Sequence, residues 1–281
     1  MKQQFDLKYR PDIDGLRALS VLTILVFHLN QTWIPGGFAS VSLFFVISGF
    51  LITSIITNQL MGDRYSFKDF YTRRIKRILP LFFVVLFTVF IFTAVIVKPW
   101  DDYGAFWKTV RYAMQFRANQ AFLEVDYFGP AVDQMPLLHL WTLALEEQFY
   151  FFWPITLFLL YKVFKKTQNP KFWLFWSTVV LIVASTSYSL YVSDIQNGNP
   201  YFLLRARAGE ILVGCALALS PYSVPVKFRT PLGIFGIVLI LLSYIFFTPE
   251  IAYPGYYGLI PSLGAAFFIL DSRACPHLSF F

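Results

Sequence analysis

The chain has 281 residues, 57% of them hydrophobic and only 14% charged, with 33 Phe and a net charge of +7. Soluble domains carry about 25% charged residues, so a mean hydropathy of +0.58 excludes a water-facing globular surface. The basic balance does not call for nucleic acid, because Lys and Arg gather in short loops, as orientation of a membrane protein demands.

In lipid the spanning elements are helices or a closed barrel, and long unbroken apolar runs select helices. The fold class expected is all-α, a polytopic transmembrane helix bundle. Runs at 16–33, 38–57, 79–97, 143–163, 172–192, 203–219, 231–247 and 256–270 predict about eight spans.

The first run, "DIDGLRALSVLTILVFH", follows Asp12 and Asp14 and has no small-residue cleavage site after His28, so it reads as an uncleaved signal anchor. It carries Arg17 and His28 on one helical face, roughly 16 Å apart along the axis. Arg17 could snorkel to the interface. A histidine in an apolar span either hydrogen-bonds a neighbouring helix or marks function, and the second reading is favoured. In "GGFASVSLFFVISGFLIT", Gly36, Gly37, Ser48 and Gly49 among large aromatics suggest a tight helix contact or a narrow passage.

"FYTRRIKRILP" places Arg73, Arg74, Lys76 and Arg77 directly before a span. Topology alone explains positive charge there. Three guanidinium forks also suit a phosphorylated ligand, and anionic lipid headgroups compete for the same groups. The weaker segment 104–122 is an imperfect amphipathic helix, better suited to an interface or a re-entrant hairpin than to a crossing. With the N-terminus cytoplasmic and 98–142 external, the short outer loops "NQTWIPGG", "SDIQNGNP" and "TPEIAYPG" hold no Lys or Arg.

"HLWTLALEEQFY" puts His139 and Glu146 on one face and brings Glu146 and Glu147 into an apolar run. Either the carboxylates sit in the interface near the helix N-terminus, or one of them orients an imidazole, His28 or His139. "RARAGEILVG" spaces Arg207 and Glu210 three apart, as an ion pair that orients the helix. Gly209 and Gly214 would permit close packing. Cys215 and Cys275 form no metal or disulfide framework, and no ligand cluster calls for a metal. No internal repeat of the kind many transporters show is visible.

Taken together, "YRPDIDGLRALSVLTILVFH", "GGFASVSLFFVISGFLIT", "FYTRRIKRILP", "LLHLWTLALEEQFYFFWP" and "RAGEILVG" resemble the acyltransferase-3 family. These are bacterial inner-membrane proteins that O-acylate surface carbohydrates such as lipopolysaccharide O-antigen. The resemblance implies one integral-membrane domain over 1–281. It would move an acyl group, usually acetyl, from cytoplasmic acetyl-CoA to a hydroxyl of a surface polysaccharide or lipid-linked saccharide. Arg17 and His28 match the family's arginine–histidine pair. Arg73, Arg74 and Arg77 match its basic motif, Glu146 and Glu147 its paired glutamates, and Arg207 and Glu210 its later arginine–glutamate motif. Ser42 stands where relatives often have an aspartate. Relatives usually continue past the equivalent of Phe281 with two more helices.

On this reading His28, Glu146 and Glu147 serve catalysis, and Arg17, Arg73, Arg74 and Arg77 hold acyl-CoA. Arg207, Glu210 and His139 contact substrate or brace the fold. A transporter or flippase, or an inactive shortened acyltransferase, remain the alternatives at this point.

Overall fold

The structure, a computed structural model, describes residues 10–96, 103–129, 135–195 and 200–272. Among the described residues every regular element is a helix: α1 (Pro11–Leu29), α2 (Ser40–Met61), α3 (Phe67–Ile96), α4 (Tyr103–Met114), α5 (Ala118–Ala121), α6 (Leu140–Phe164), α7 (Pro170–Leu190), α8 (Leu204–Leu219), α9 (Val226–Phe246) and α10 (Leu259–Ser272).

Local chemistry sets several boundaries. α1 starts five residues before its expected span because Pro11 occupies the first helical position, where its fixed φ suits a helix and its missing N–H costs nothing. It stops at Asn30, whose extended backbone and side-chain carbonyl, bonded to the Thr32 N–H and hydroxyl, turn the chain. α7 likewise opens on Pro170 behind Asn169, which caps the Phe172 N–H at 3.2 Å. α3 differs most from expectation: it begins at Phe67, so the arginine motif is its own first turns rather than a preceding loop. Pro80 is carried inside it.

Four helical segments are long and apolar enough to cross a membrane, at Gly37–Met61, Phe67–Thr93, Pro170–Ser193 and Val226–Phe246. The expected eight are not reached on that measure. α8 has only 16 residues and holds Arg205, Arg207 and Glu210, and α10 is shorter still. The 104–122 segment breaks into α4 and α5, and α4, 12 residues long, reaches about 18 Å against a hydrocarbon core of about 30 Å. α4 lies against α3 through Phe90, Phe106 and Trp107. Leu81, Phe83, Val84 and Phe87 of α3 are exposed, as a lipid-facing surface requires.

Backbones meet closely between α2 and α8. A Cβ on Gly49 would lie 2.0 Å from the Ile211 carbonyl oxygen, and one on Gly214 would lie 1.9 Å from that of Val46. Two glycines therefore let the backbones touch, the contact that stabilises helices where lipid supplies no hydrophobic drive. α9 and α10 meet the same way at Gly236 and Gly264. Helix-to-helix hydrogen bonds complete the frame, including Trp153 Nε1 to Thr53 Oγ1 at 2.8 Å and Gln148 Nε2 to Asn119 Oδ1 at 2.8 Å.

At the centre lies the ion pair anticipated from spacing. Arg207 Nη1 is 3.0 Å from Glu210 Oε1, with Arg207 0% and Glu210 2% exposed. The guanidinium carbon is 4.9 to 5.4 Å from the ring centres of Phe45, Trp141, Tyr201 and Tyr253. Ser42 hydrogen-bonds the Tyr253 hydroxyl at the edge of this cage.

Two predictions follow from this packing. Gly214→Leu should destabilise the chain by about 3 kcal/mol or more, seen as a lower melting temperature in detergent. Gly15→Ala, whose new Cβ meets nothing within 4 Å, should melt like the parent. Arg207→Met alone should cost about 3–5 kcal/mol because it strands a buried carboxylate, and adding Glu210→Met should recover much of that loss. Equal melting of the single and double variants would sink the pair's assigned role.

Candidate functional site

Three helices carry side chains at i, i+4, i+7 and i+11 or a subset of that series, and the three stripes face one another. α1 contributes Arg17, Ile24 and His28. α2 contributes Phe44, Ser48, Leu51 and Ile55, all four half-buried on a mostly buried helix. The start of α6 contributes His139, Leu143, Glu146 and Tyr150. The helical period thus lines a passage along the bundle from ordinary sequence spacing.

The passage has two chambers. One, of about 580 Å³, is walled by His28, His139, Tyr127, Trp141 and apolar side chains from α1, α2 and α6. The other, of about 710 Å³, is walled by Arg17, Arg73, Arg74, Arg77, Glu147 and Tyr150. Phe44, Leu143 and Glu146 belong to both and form the neck between them.

At one end the His28 ring is set by its own helix. Nδ1 is 2.8 Å from the Ile24 carbonyl oxygen. A carbonyl only accepts, so Nδ1 carries the proton and Nε2 offers its lone pair. The Tyr127 hydroxyl lies 3.5 Å from Nε2. Burial pushes the Tyr127 phenol up to about 12, which keeps it a donor at neutral pH. His139 occupies the N-cap position of α6 without a side-chain cap bond and faces the Pro136 carbonyl, and desolvation holds its imidazole below the usual value.

At the neck, Tyr150 donates to Glu146 Oε2 at 3.1 Å and also contacts the Ser48 hydroxyl. Of the two readings left open for the glutamates, the imidazole-orienting one finds no contact here: the Ile24 carbonyl holds His28, Pro136 faces His139, and Glu146 is bound to Tyr150 and Ser48. At the other end the Arg74 guanidinium lies 3.6 Å over the Tyr150 ring, and its charge faces both Glu146 and Glu147. Arg74 Nε and Glu147 Oε1 are buried without a hydrogen-bond partner among the described residues. Arg17 reaches Asp14 at 3.2 Å on the exposed side of α1.

Of the residues expected from sequence, Arg17, His28, Arg73, Arg74, Arg77, His139, Glu146 and Glu147 all line this passage. Arg207 and Glu210 line neither chamber. Sequence reading passed over Phe44, Tyr127 and Tyr150, and marked Ser48 only as a small residue of a tight helix contact or narrow passage. Tyr150 was findable four residues after Glu146, whereas Tyr127 sits in a loop and carries no periodic signal. Among the described residues no group of three or more His, Cys, Asp or Glu is placed to hold a metal ion.

Comparison with known proteins gives this passage a context. The chain is 34% identical to the peptidoglycan O-acetyltransferase OatA of Listeria monocytogenes, over 98% of its length and 46% of that protein's. It is 32% identical to YrhL of Bacillus subtilis, named "Putative peptidoglycan O-acetyltransferase", over 97% of its length and 44% of that protein's. The chain thus spans less than half the length of these relatives. No solved structure matches it. The family described as "Acyltransferase domain" matches residues 10–281, and the chain belongs to that acyltransferase-3 family of acyltransferases.

Proposed function

We propose that the chain is a membrane O-acetyltransferase that passes acetyl from cytoplasmic acetyl-CoA to a sugar hydroxyl at the far membrane face. The observation that carries this is the two-chamber passage, with a guanidinium cluster at one end and an imidazole lone pair at the other. The sequence resemblance pointed to lipopolysaccharide as acceptor. The relatives are named for peptidoglycan, so the acceptor proposed is a peptidoglycan glycan strand. The site is the bacterial cytoplasmic membrane, with the N-terminus and the arginine end inside, in keeping with the loop charges.

In this reading the nucleotide phosphates of acetyl-CoA rest on Arg73, Arg74 and Arg77, with Arg17 adding charge across the chamber. The slender pantetheine arm lies through the neck between Phe44 and Leu143. The thioester then stands near His28. The acceptor hydroxyl gives its proton to His28 Nε2 as its oxygen attacks the thioester carbonyl. The C–O bond forms, the C–S bond breaks, and the sulfur leaves as a thiol with the proton returned from His28. General-base catalysis of this kind is worth about 10²–10⁴-fold. Glu146, tied to Tyr150 and Ser48, keeps the neck polar on one side, and Glu147 balances Arg74.

His28→Ala, inserted normally, should lower kcat for transfer from acetyl-CoA to glycan strands by at least about 100-fold, with the KM for acetyl-CoA little changed. Transfer at the parent's rate would end the base assignment. Arg73→Ala and Arg74→Ala should each raise the KM for acetyl-CoA about 10-fold or more. An unchanged KM would return those arginines to orientation of the helix alone.

A further inference from the structure

A third cavity, of about 410 Å³, lies beyond the His28 chamber, at the end of the bundle away from the arginines. Its walls come from the 126–128 loop, from Ser193, Pro200 and Tyr201, and from residues 249–253. Its chemistry differs from that of the passage. The His28 chamber is walled largely by Ile24, Val41, Phe44, Leu138 and Leu143, a surface for an acyl chain. The third cavity is lined by the Asp126 carboxylate, the Ser193 hydroxyl, the phenols of Tyr127, Tyr201 and Tyr253, and the Phe128 ring.

Two polar groups there have capacity for a ligand. Asp126 Oδ1 accepts the Phe128 N–H at 3.0 Å, which leaves Oδ2 for another donor. The Ser193 hydroxyl is buried without a hydrogen-bond partner among the described residues. Ser193 sits where the end of α7 widens into a π turn over Tyr191–Ile195, a distortion that often marks a functional position. Phe128 is braced edge-on by Phe38 at 4.9 Å and by Tyr201 at 5.6 Å, and so is a fixed aromatic wall.

We infer that this outer cavity is the acceptor subsite, and that it takes a saccharide ring with its C–H face on Phe128 and its hydroxyls on Asp126 and Ser193. Sugars offer both an apolar face and a rim of donors, and this cavity pairs an aromatic wall with unspent polar groups. Its link to the chemistry is Tyr127, which lines both this cavity and the His28 chamber. The Tyr127 phenol stands 3.5 Å from His28 Nε2, where an arriving sugar hydroxyl has to come. The inference rests on the acetyl-transfer reading for its purpose, but not for its test.

The test is a binding titration of soluble, uncrosslinked peptidoglycan strands onto the full chain in nanodiscs, with no acetyl donor present. Asp126→Asn and Phe128→Ala should each weaken strand binding about tenfold. Acetyl-CoA affinity should stay at the parent's value in both, and the melting temperature should stay there in Asp126→Asn. Asp126 is exposed, so its variant guards against a fold defect in Phe128→Ala. Strand affinity unchanged in Asp126→Asn, or no strand binding by the parent, overturns the subsite. Strand binding that responds to both variants in a chain that transfers no acetyl keeps the subsite and rejects the acetyl-transfer reading instead.

Discussion

The structure depends on a charge pair that lipid would not tolerate alone. Arg207 and Glu210 are buried where an unpaired charge costs several kcal/mol, so each needs the other. Their setting recruits much of the rest. The guanidinium meets two tyrosines, a tryptophan and a phenylalanine, drawn from α2, from the start of α6 and from two loops distant in sequence. The carboxylate comes so near Gly258 that a Cβ there would sit 2.6 Å from Glu210 Oε1. A buried ion pair is weak evidence for stability, yet it specifies one arrangement against others. Here it sets the register of α8 against α2 and fixes Tyr201 and Tyr253, which wall the outer cavity.

Around that pair the molecule divides into a tight side and an open side. α2, α7, α8, α9 and α10 pack backbone to backbone at glycines and small polar residues. α1 and α3 stand further off, with long exposed apolar faces, and the passage lies between them and α6. The division suits transfer chemistry. The rigid side supplies Phe44 of the neck, whereas His28 stands on α1 in the looser wall and is held by its own helix.

Much of the passage was legible in the sequence because ionisable residues in apolar runs are costly and few. Arg17, His28, Glu146 and Glu147 announced themselves in that way, and helical period placed them on common faces. What holds them was less legible. The His28 tautomer is set by the Ile24 carbonyl, and a backbone group leaves no mark in a sequence. The outer cavity was invisible because Asp126, Ser193 and Tyr253 lie far apart in sequence, and only the fold brings them together. The count of about eight spans is not confirmed, because four helical segments among the described residues meet the length and hydropathy of a crossing. Apolar runs show where helices lie, but α8 and α10 are short helices held inside the bundle by neighbours.

The hydrogen bond from His28 Nδ1 to its own helix also constrains how charge moves during turnover. With that nitrogen committed, the ring exchanges protons through Nε2 alone. A proton taken from one substrate in the proposed reaction has to be handed back on the same side of the ring. The imidazole cannot act as a wire that picks up a proton at one membrane face and releases it at the other. Acetyl would then cross the bilayer without net charge displacement at this residue, and the reaction would draw on the thioester rather than on the membrane potential.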